Sequence, residues 1–536
     1  MGKEYDTRGT WDGIYIAAMA VGAISGLICA TFRYTVAQIA GLRPYMFSHS
    51  NHIIVHVVVF CSIFTALYIT RWLVEMFPKS GGSGLPQTQA LMYGRRVYNT
   101  PFIYLAVKFI GGVLSLSSGL SLGREGTSVQ MGSLTGYITG NLLHTKEGKK
   151  RHLIAAGAGA GVAAAFTAPL SSSILIMESL QKVTITTTLL CTLLAGAVAG
   201  VIAKFITPDN IYDLIPVVTP KDNFAVLIPI YVAMALFFAL FGKLFSNMLL
   251  KGKEIYAKMK AGIQEHGKGR GIFKEVMLLA SATWLMGLVF TEMIGGDQTF
   301  LVKESVINSF LASEVLHSQI ITRIVNLLIL LMVIVAIWSF TVLSHSSGFP
   351  GGIFLPMMTV GGLLGKLFYE AAAFVCGTGY IGEGLGGYFI LLGMSAFFIA
   401  VVRTPITGFI LISEMTGHYE TFFPTLIIGT LVYYLTQILR VEPLNDMLYD
   451  FMIEHDTMQP ERTTVYIDIE RSSYLKGKQI CHISLPDGAA IKEIVRNKKT
   501  IPVGPTTTVE EGDQIGIELD SKDIERLYRS LICLGS

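Results

Sequence analysis

A lone carboxylate, Glu125, stands between Gly123-Arg124 and Gly126-Thr127 inside an otherwise apolar stretch. Ahead of it lie residues 102–113, interrupted by Lys108, and a Ser/Gly/Leu segment over 114–122; behind it, residues 127–140 hold no carboxylate. An ionisable side chain at membrane depth marks a functional site by default. Glycines on both sides let the backbone approach a ligand closely. A helix beginning here turns its free N–H groups and positive dipole end towards that ligand. The plainer reading is an Arg124–Glu125 pair that closes a loop.

Two further glycine-rich breaks have the same form. In residues 78–86, Pro86 sits where a first-turn helix proline would sit, with Ser83 just ahead. Ser83 therefore offers its hydroxyl and the following N–H groups to an anion. In residues 346–356, Gly351 and Gly352 free the backbone, Pro356 opens the apolar run 357–368, and the amides of Ile353 and Phe354 are candidate anion donors. Helix ends attract through partial charges, without a full lysine charge that would hold an ion too tightly to conduct. Each break taken alone reads equally well as an interhelical turn. Non-helical backbone at this depth is tolerated where it is buried or lines a cavity.

The elements that position these breaks belong to a membrane. With 15% charged residues among 536 and a mean hydropathy of +0.55, the chain is not a soluble globular protein. Apolar runs at 14–30, 53–77, 186–206, 224–245, 324–342 and 426–439 approach the roughly 20 residues a spanning helix needs. The 55 glycines and the small residues of 155–165 suit close helix contact in lipid. The net charge of +3 says little, but Lys146, Lys149, Lys150 and Arg151 form one basic cluster. Seven Lys and Arg residues across 251–274 form another. The positive-inside rule makes both loops cytoplasmic, a simpler reading than nucleic-acid binding.

Other features carry little chemistry. Residues 1–13 lack a signal-peptide pattern. The six cysteines show no metal or redox spacing and read as structural thiols. His52 and His56, with no third ligand nearby, read as interfacial histidines rather than a metal site. No nucleophile–base pair stands out, so the chain is expected to be no enzyme and to need no cofactor.

Residues 168–179 and 404–415 align as an internal repeat: Pro169 to Glu178 and Pro405 to Glu414 are both nine positions, with Ile-Leu-Ile between them. One copy lies on each side of the basic linker. Repeated halves with interrupted short helices characterise transporters that bind substrate between the halves.

Gly82-Ser83-Gly84-Leu85-Pro86, Gly123-Arg124-Glu125-Gly126 and Gly352-Ile353-Phe354-Leu355-Pro356 resemble, in order, the three signature motifs of CLC chloride channels and proton/chloride exchangers. The resemblance covers about residues 12–450. It implies an all-α polytopic fold of two inverted repeats, a homodimer in the plasma membrane, and one anion pathway per subunit. Ser83, Ile353 and Phe354 would hold the central anion and Glu125 would be the external gate. Three positions depart from the exchanger pattern: Thr127 replaces a proline, Ser179 a second glutamate that passes protons inward, and Asn445 a pore tyrosine. Tyr449 lies one helical turn beyond Asn445. A serine hydroxyl does not titrate near neutral pH. The expected activity is therefore transport of chloride or a similar small anion with weak or absent proton coupling. A coupled exchanger using another proton path is the alternative. Thr127 and Ser179 also resemble the fluoride/proton branch of the family, whereas Ser83 does not.

The last residues read as a separate soluble unit, dividing the chain into a transport domain, 1–455, and a cytoplasmic α+β domain, 456–536. Residues 465–469 alternate like a strand, and Gly512-Asp513 marks a turn. Gly477-Lys478, Ile494-Val495-Arg496 and Glu511-Gly512-Asp513 resemble the C-terminal lobe of RCK regulators of potassium transport, the TrkA-C domain. That resemblance implies dimerisation and a possible small-molecule ligand, including cyclic dinucleotides in some members. A potassium pathway is the remote alternative: Gly377-Thr378-Gly379-Tyr380 matches part of a filter, but such a filter needs four convergent copies of a longer loop.

Overall fold

Proline and glycine set where the apolar runs of this chain become helices. The structure, a computed structural model, describes residues 8–48, 53–94, 98–145, 147–182, 186–207, 217–220, 227–264, 268–294, 320–377, 384–455, 462–469, 473–483, 485, 488–496, 499–520 and 527. His52, Lys146, Thr378-Gly379-Tyr380 and Cys533 lie outside these residues.

The first half carries α1 (Arg8–Ser48), α2 (Ile53–Met76), α3 (Leu85–Met92), α4 (Pro101–Ser118), α5 (Glu125–Leu142), α6 (Glu147–Phe166), α7 (Pro169–Leu175) and α8 (Thr186–Ile206). A π-helical turn, Ile176–Gln181, prolongs α7. The second half carries α9 (Ile228–Gln264), α10 (Lys268–Ile294), α11 (Ile320–Ser346), α12 (Phe354–Cys376), α13 (Gly386–Val402), α14 (Pro405–Thr416), α15 (Phe422–Ile438) and α16 (Leu444–His455). Among the described residues, nine helices are long and apolar enough to cross a membrane, so the chain is a multi-pass membrane protein. With 8 residues in α3 and 7 in α7, neither is long enough to span.

The repeat read in the sequence is built into the backbone. Thr167 (φ 56°) and Arg403 (φ 63°) are left-handed. Ala168 (φ −129°) and Thr404 (φ −117°) follow, held out of the helical region by the proline that comes next. The α7 and α14 N-termini so formed are capped across the repeat. The Glu178 carboxylate accepts the N–H groups of Ile406 (3.2 Å) and Thr407 (2.9 Å). The Glu414 carboxylate accepts those of Leu170 (3.0 Å) and Ser171 (2.8 Å). Each half supplies the acceptor that the other half's helix end lacks.

Lipid tails are as apolar as leucine, so helices in a membrane are held by close packing rather than by expulsion from water. Here that packing is backbone on backbone. A Cβ on Gly132 would overlap the Gly157 carbonyl, and one on Gly161 the Ser128 carbonyl, which seals α5 against α6. In the second half, a Cβ on Gly365 would overlap the Phe389 carbonyl and one on Gly393 the Gly361 carbonyl, sealing α12 against α13. Helix α13 is apolar all round and buries every residue, as a helix at the centre of a bundle must.

The tail forms a four-stranded antiparallel sheet, β1 (Arg462–Asp468), β2 (Ala490–Arg496), β3 (Lys499–Ile501) and β4 (Gln514–Asp520), in the order β1-β4-β2-β3. Alternation puts Val465, Ile467, Ile494, Ile515 and Ile517 on its buried face. The expected Gly512-Asp513 turn is present: Gly512 has φ 86°, and buried Asp513 accepts two bonds from Arg496, at 2.7 and 2.8 Å. Residues 474–477 form a turn, and Gln479 bridges to Thr508 ahead of a 3-10 helix at Ile480–His482. Arg151 at the start of α6 donates to the Tyr466 carbonyl of β1 at 2.6 Å and ties the tail to the helical body.

Two glycines on one helix test the packing. Gly157→Ala forces α5 and α6 apart and should cost about 1–3 kcal/mol or more. Gly159→Ala, whose Cβ would meet Thr192 at an ordinary 3.4 Å, should stay within about 0.5 kcal/mol of the parent protein. Thermal unfolding in detergent and size-exclusion profiles measure the contrast.

Candidate anion site

Three loops meet where α3, α5 and α12 begin. Gly123 and Gly352 exchange both backbone bonds as an antiparallel pair, at 2.7 and 2.6 Å. The Gly82 N–H donates to the Gly348 carbonyl at 2.9 Å, and the Gly351 N–H to the Gly82 carbonyl at 3.2 Å. The approach excludes side chains. A Cβ on Gly352 would sit 2.5 Å from Glu125 Oε1, and one on Gly126 would overlap the Ser83 carbonyl. Gly84, the N-cap of α3, has φ 88°, a conformation that favours glycine.

At none of the three N-termini does the N-cap residue, Gly84, Arg124 or Ile353, cap its own helix with its side chain. Glu125, fully buried, is the first residue of α5, and its Oε1 accepts the Leu355 N–H at 3.2 Å. The carboxylate of one half thus occupies the positive end of a helix in the other, where a free anion would be stabilised. Arg124 directs Nε to the Ala165 carbonyl at the end of α6, at 3.1 Å. Ser83 is 3% exposed, and Ile353 and Phe354 are fully buried at the start of α12. Pro86 lies in the first turn of α3 and Pro356 in that of α12. The structure brings all three sequence motifs to one place.

Several side chains at this place escaped the sequence reading. Lys108 Nζ donates to the Ser80 (3.0 Å) and Gly82 (2.8 Å) carbonyls, and Gln87 Nε2 to the Gly81 carbonyl (3.2 Å). Gln130 Nε2 donates to the Lys79 carbonyl at 2.8 Å. Ser115 Oγ donates to the Pro350 carbonyl. Arg71 donates to the Ser347 carbonyl at 2.9 Å while paired with Glu275, which also accepts the Tyr256 hydroxyl at 2.6 Å. Only Lys108, a single charge in an apolar run, left a signal in the sequence.

Two of the departures lie together: Asn445 Nδ2 donates to Ser179 Oγ, and both residues are buried. Ser179 borders a cavity of about 510 Å³ lined also by Glu178, Lys182, Arg403, Tyr433 and Asp446. Glu178 and Ser179 both border this cavity. Within it, the Glu178 carboxylate caps α14, and the Ser179 hydroxyl meets Asn445. Lys182 pairs with Asp446, and the Arg403 guanidinium lies over Tyr433, 5.1 Å from its centroid. Tyr449 packs edge-on against Tyr93 at 5.6 Å. Among the described residues no cluster of His, Cys, Asp and Glu could hold a metal.

The chain is similar to known proteins over most of its length. The H(+)/Cl(-) exchange transporter ClcA of Citrobacter koseri is 30% identical over 439 residues, covering 80% of this chain and 87% of its own. That of Cronobacter sakazakii is 30% identical over 438 residues, covering 80% and 88%. Among solved structures, a slow cyanobacterial Cl-/H+ antiporter superposes with a TM-score of 0.69 at 23% identity, covering 83% of this chain and 98% of that one. A CLC-type fluoride/proton antiporter superposes with a TM-score of 0.59 at 18% identity, covering 82% and 99%. Residues 464–532 match the TrkA-C domain. Residues 66–437 match the family model of the voltage gated chloride channel, and the chain belongs to that family.

Proposed function

We propose that this protein carries chloride, or a similar small monovalent anion, across the plasma membrane, with Glu125 as a protonatable gate and with weak or absent coupling to protons. The observation that carries this reading is the bond from the Leu355 N–H to Glu125 Oε1. An ionised carboxylate there competes with an anion for the end of α12; protonation removes its charge and releases the position. Ser83 and the amides of Ile353 and Phe354 coordinate the central anion. The names of the ClcA relatives support chloride as that ion. The chain acts as a homodimer, with residues 1–455 as the transport domain and 456–536 as a regulatory domain that takes a small-molecule ligand. Contact between Arg151, in a basic cluster, and Tyr466 supports a cytoplasmic tail.

Weak coupling rests on the Ser179–Asn445 contact, which puts an untitratable pair on the inner side. A second reading, proton-coupled exchange by another path, is favoured by the neighbouring cavity. Asp446, paired with Lys182, lines it together with Ser179 and supplies a carboxylate one residue after Asn445.

Three measurements follow. Anion flux from proteoliposomes should rise as pH falls, and Glu125→Gln should remove most of that pH dependence; an unchanged profile refutes the gate. Isothermal titration with chloride should show Ser83→Ala weakened by about 0.5–1.5 kcal/mol, the usual net worth of a neutral hydrogen bond. If chloride and bromide both fail to bind the parent protein, fluoride is the ion to test. With voltage clamped by valinomycin, an imposed chloride gradient should drive little proton movement. Robust pumping at a fixed ratio that Asp446→Asn abolishes selects the second reading instead.

A further inference from the structure

The loop ahead of α3 has its carbonyl groups occupied one after another. Lys79 O accepts from Gln130 Nε2 (2.8 Å), Ser80 O from Lys108 Nζ (3.0 Å), and Gly81 O from Gln87 Nε2 (3.2 Å). Gly82 O accepts from Lys108 Nζ (2.8 Å) and from the Gly351 N–H (3.2 Å). Gly84 O accepts from the Thr88 N–H (3.1 Å) and hydroxyl (2.9 Å), and the Ser83 carbonyl is closed off by Gly126. On the donor side, the N–H groups of Ser80, Gly81 and Gly82 go to the carbonyls of Phe77, Pro78 and Gly348. Every buried backbone group needs a partner. Among the described residues, those left over here are the N–H groups of Ser83 and Gly84, the Ser83 hydroxyl, and the Ser83 carbonyl, which lies against Gly126.

We infer that Gln130, together with Gln87 and Lys108, is a positioning residue for anion affinity. These three side chains hold the carbonyls of residues 79–82 away from the pathway, so that the loop meets the anion with N–H and O–H groups alone. This rests on the reading that Ser83 faces the transported ion. Gln130 is the sharpest case. It is fully buried on α5, one turn beyond Gly126, and its amide nitrogen must face Lys79 O because a carbonyl only accepts. Without that donor the Lys79 carbonyl loses its side-chain partner, and the loop that carries Ser83 loses a support.

Gln130→Met keeps the side-chain length and removes the donor. Chloride titration should show affinity reduced at least about threefold, and the half-saturating chloride concentration for flux in proteoliposomes should rise in proportion. Maximal rate and the pH profile set by Glu125 should stay as in the parent protein. Gln87→Met, at a half-buried position, should act in the same direction and decides the matter if Gln130→Met does not fold. Tyr98→Phe removes the other group to which the Gln130 amide donates (2.6 Å) while leaving the Lys79 bond; it should leave affinity unchanged. Parent-like affinity in well-folded Gln130→Met or Gln87→Met overturns the role. A fall in maximal rate and a shifted pH profile alongside the affinity also overturn it, since they mark general disturbance. A parent protein that binds no chloride overturns the chloride assignment on which the titration rests, an outcome distinct from variants that bind as the parent does.

Discussion

Two helices cannot bring their positive ends to one point unless something there accepts hydrogen bonds or carries negative charge. In this protein α5 and α12 meet head to head. The joint is the pair of backbone bonds between Gly123 and Gly352, with the Glu125 carboxylate against the first turn of α12. Much of the surrounding architecture follows from keeping that joint closed and dry. Glycine is required at 123, 126 and 352 because any Cβ would fall on the carboxylate or on a neighbouring backbone. The glycine seams behind each helix bring α6 and α13 close enough to hold the two helices in place.

The loops at the joint are irregular backbone in a setting without water to satisfy them, which is tolerable only when protein groups take over. Side chains from α2, α3, α4 and α5 do so: Arg71, Gln87, Lys108, Ser115 and Gln130 each donate to a loop carbonyl. Two of these donors are charged side chains that are expensive at such depth. Arg71 is compensated by Glu275, and Lys108 meets two carbonyl dipoles.

Much of the site could be read from the chain because its motifs are punctuation: glycine and proline at fixed offsets around Glu125, Ser83 and Ile353. The repeat was legible for the same reason, through Pro169 and Glu178 against Pro405 and Glu414. Pairing between Ser179 and Asn445, 266 positions apart, could be anticipated only as two separate departures from a family pattern, since nothing local to either residue encodes the other. Gln130 and Gln87 left no trace, because a glutamine in a helix has the same composition and period whether it fills space or holds a peptide. The contact between Arg151 and Tyr466 was equally hidden: one member read as a loop charge and the other as a strand residue.

The exchanged carboxylates of the repeat bear on how the protein is made. Bonds from Leu170 and Ser171 to Glu414 span 244 and 243 positions, and the reverse cap, from Ile406 and Thr407 to Glu178, spans 228 and 229. During synthesis α7 enters the bilayer long before its acceptor exists, and Glu178 waits equally long for the amides it will hold. Contacts of such separation form late and slowly. The first half must therefore persist as an incomplete intermediate, with a bare helix end and an uncompensated carboxylate at the face where the second half will dock. Such intermediates are where large chains misassemble. Reciprocal capping makes completion of either half conditional on the other, so a truncated chain has no route to a finished half-fold.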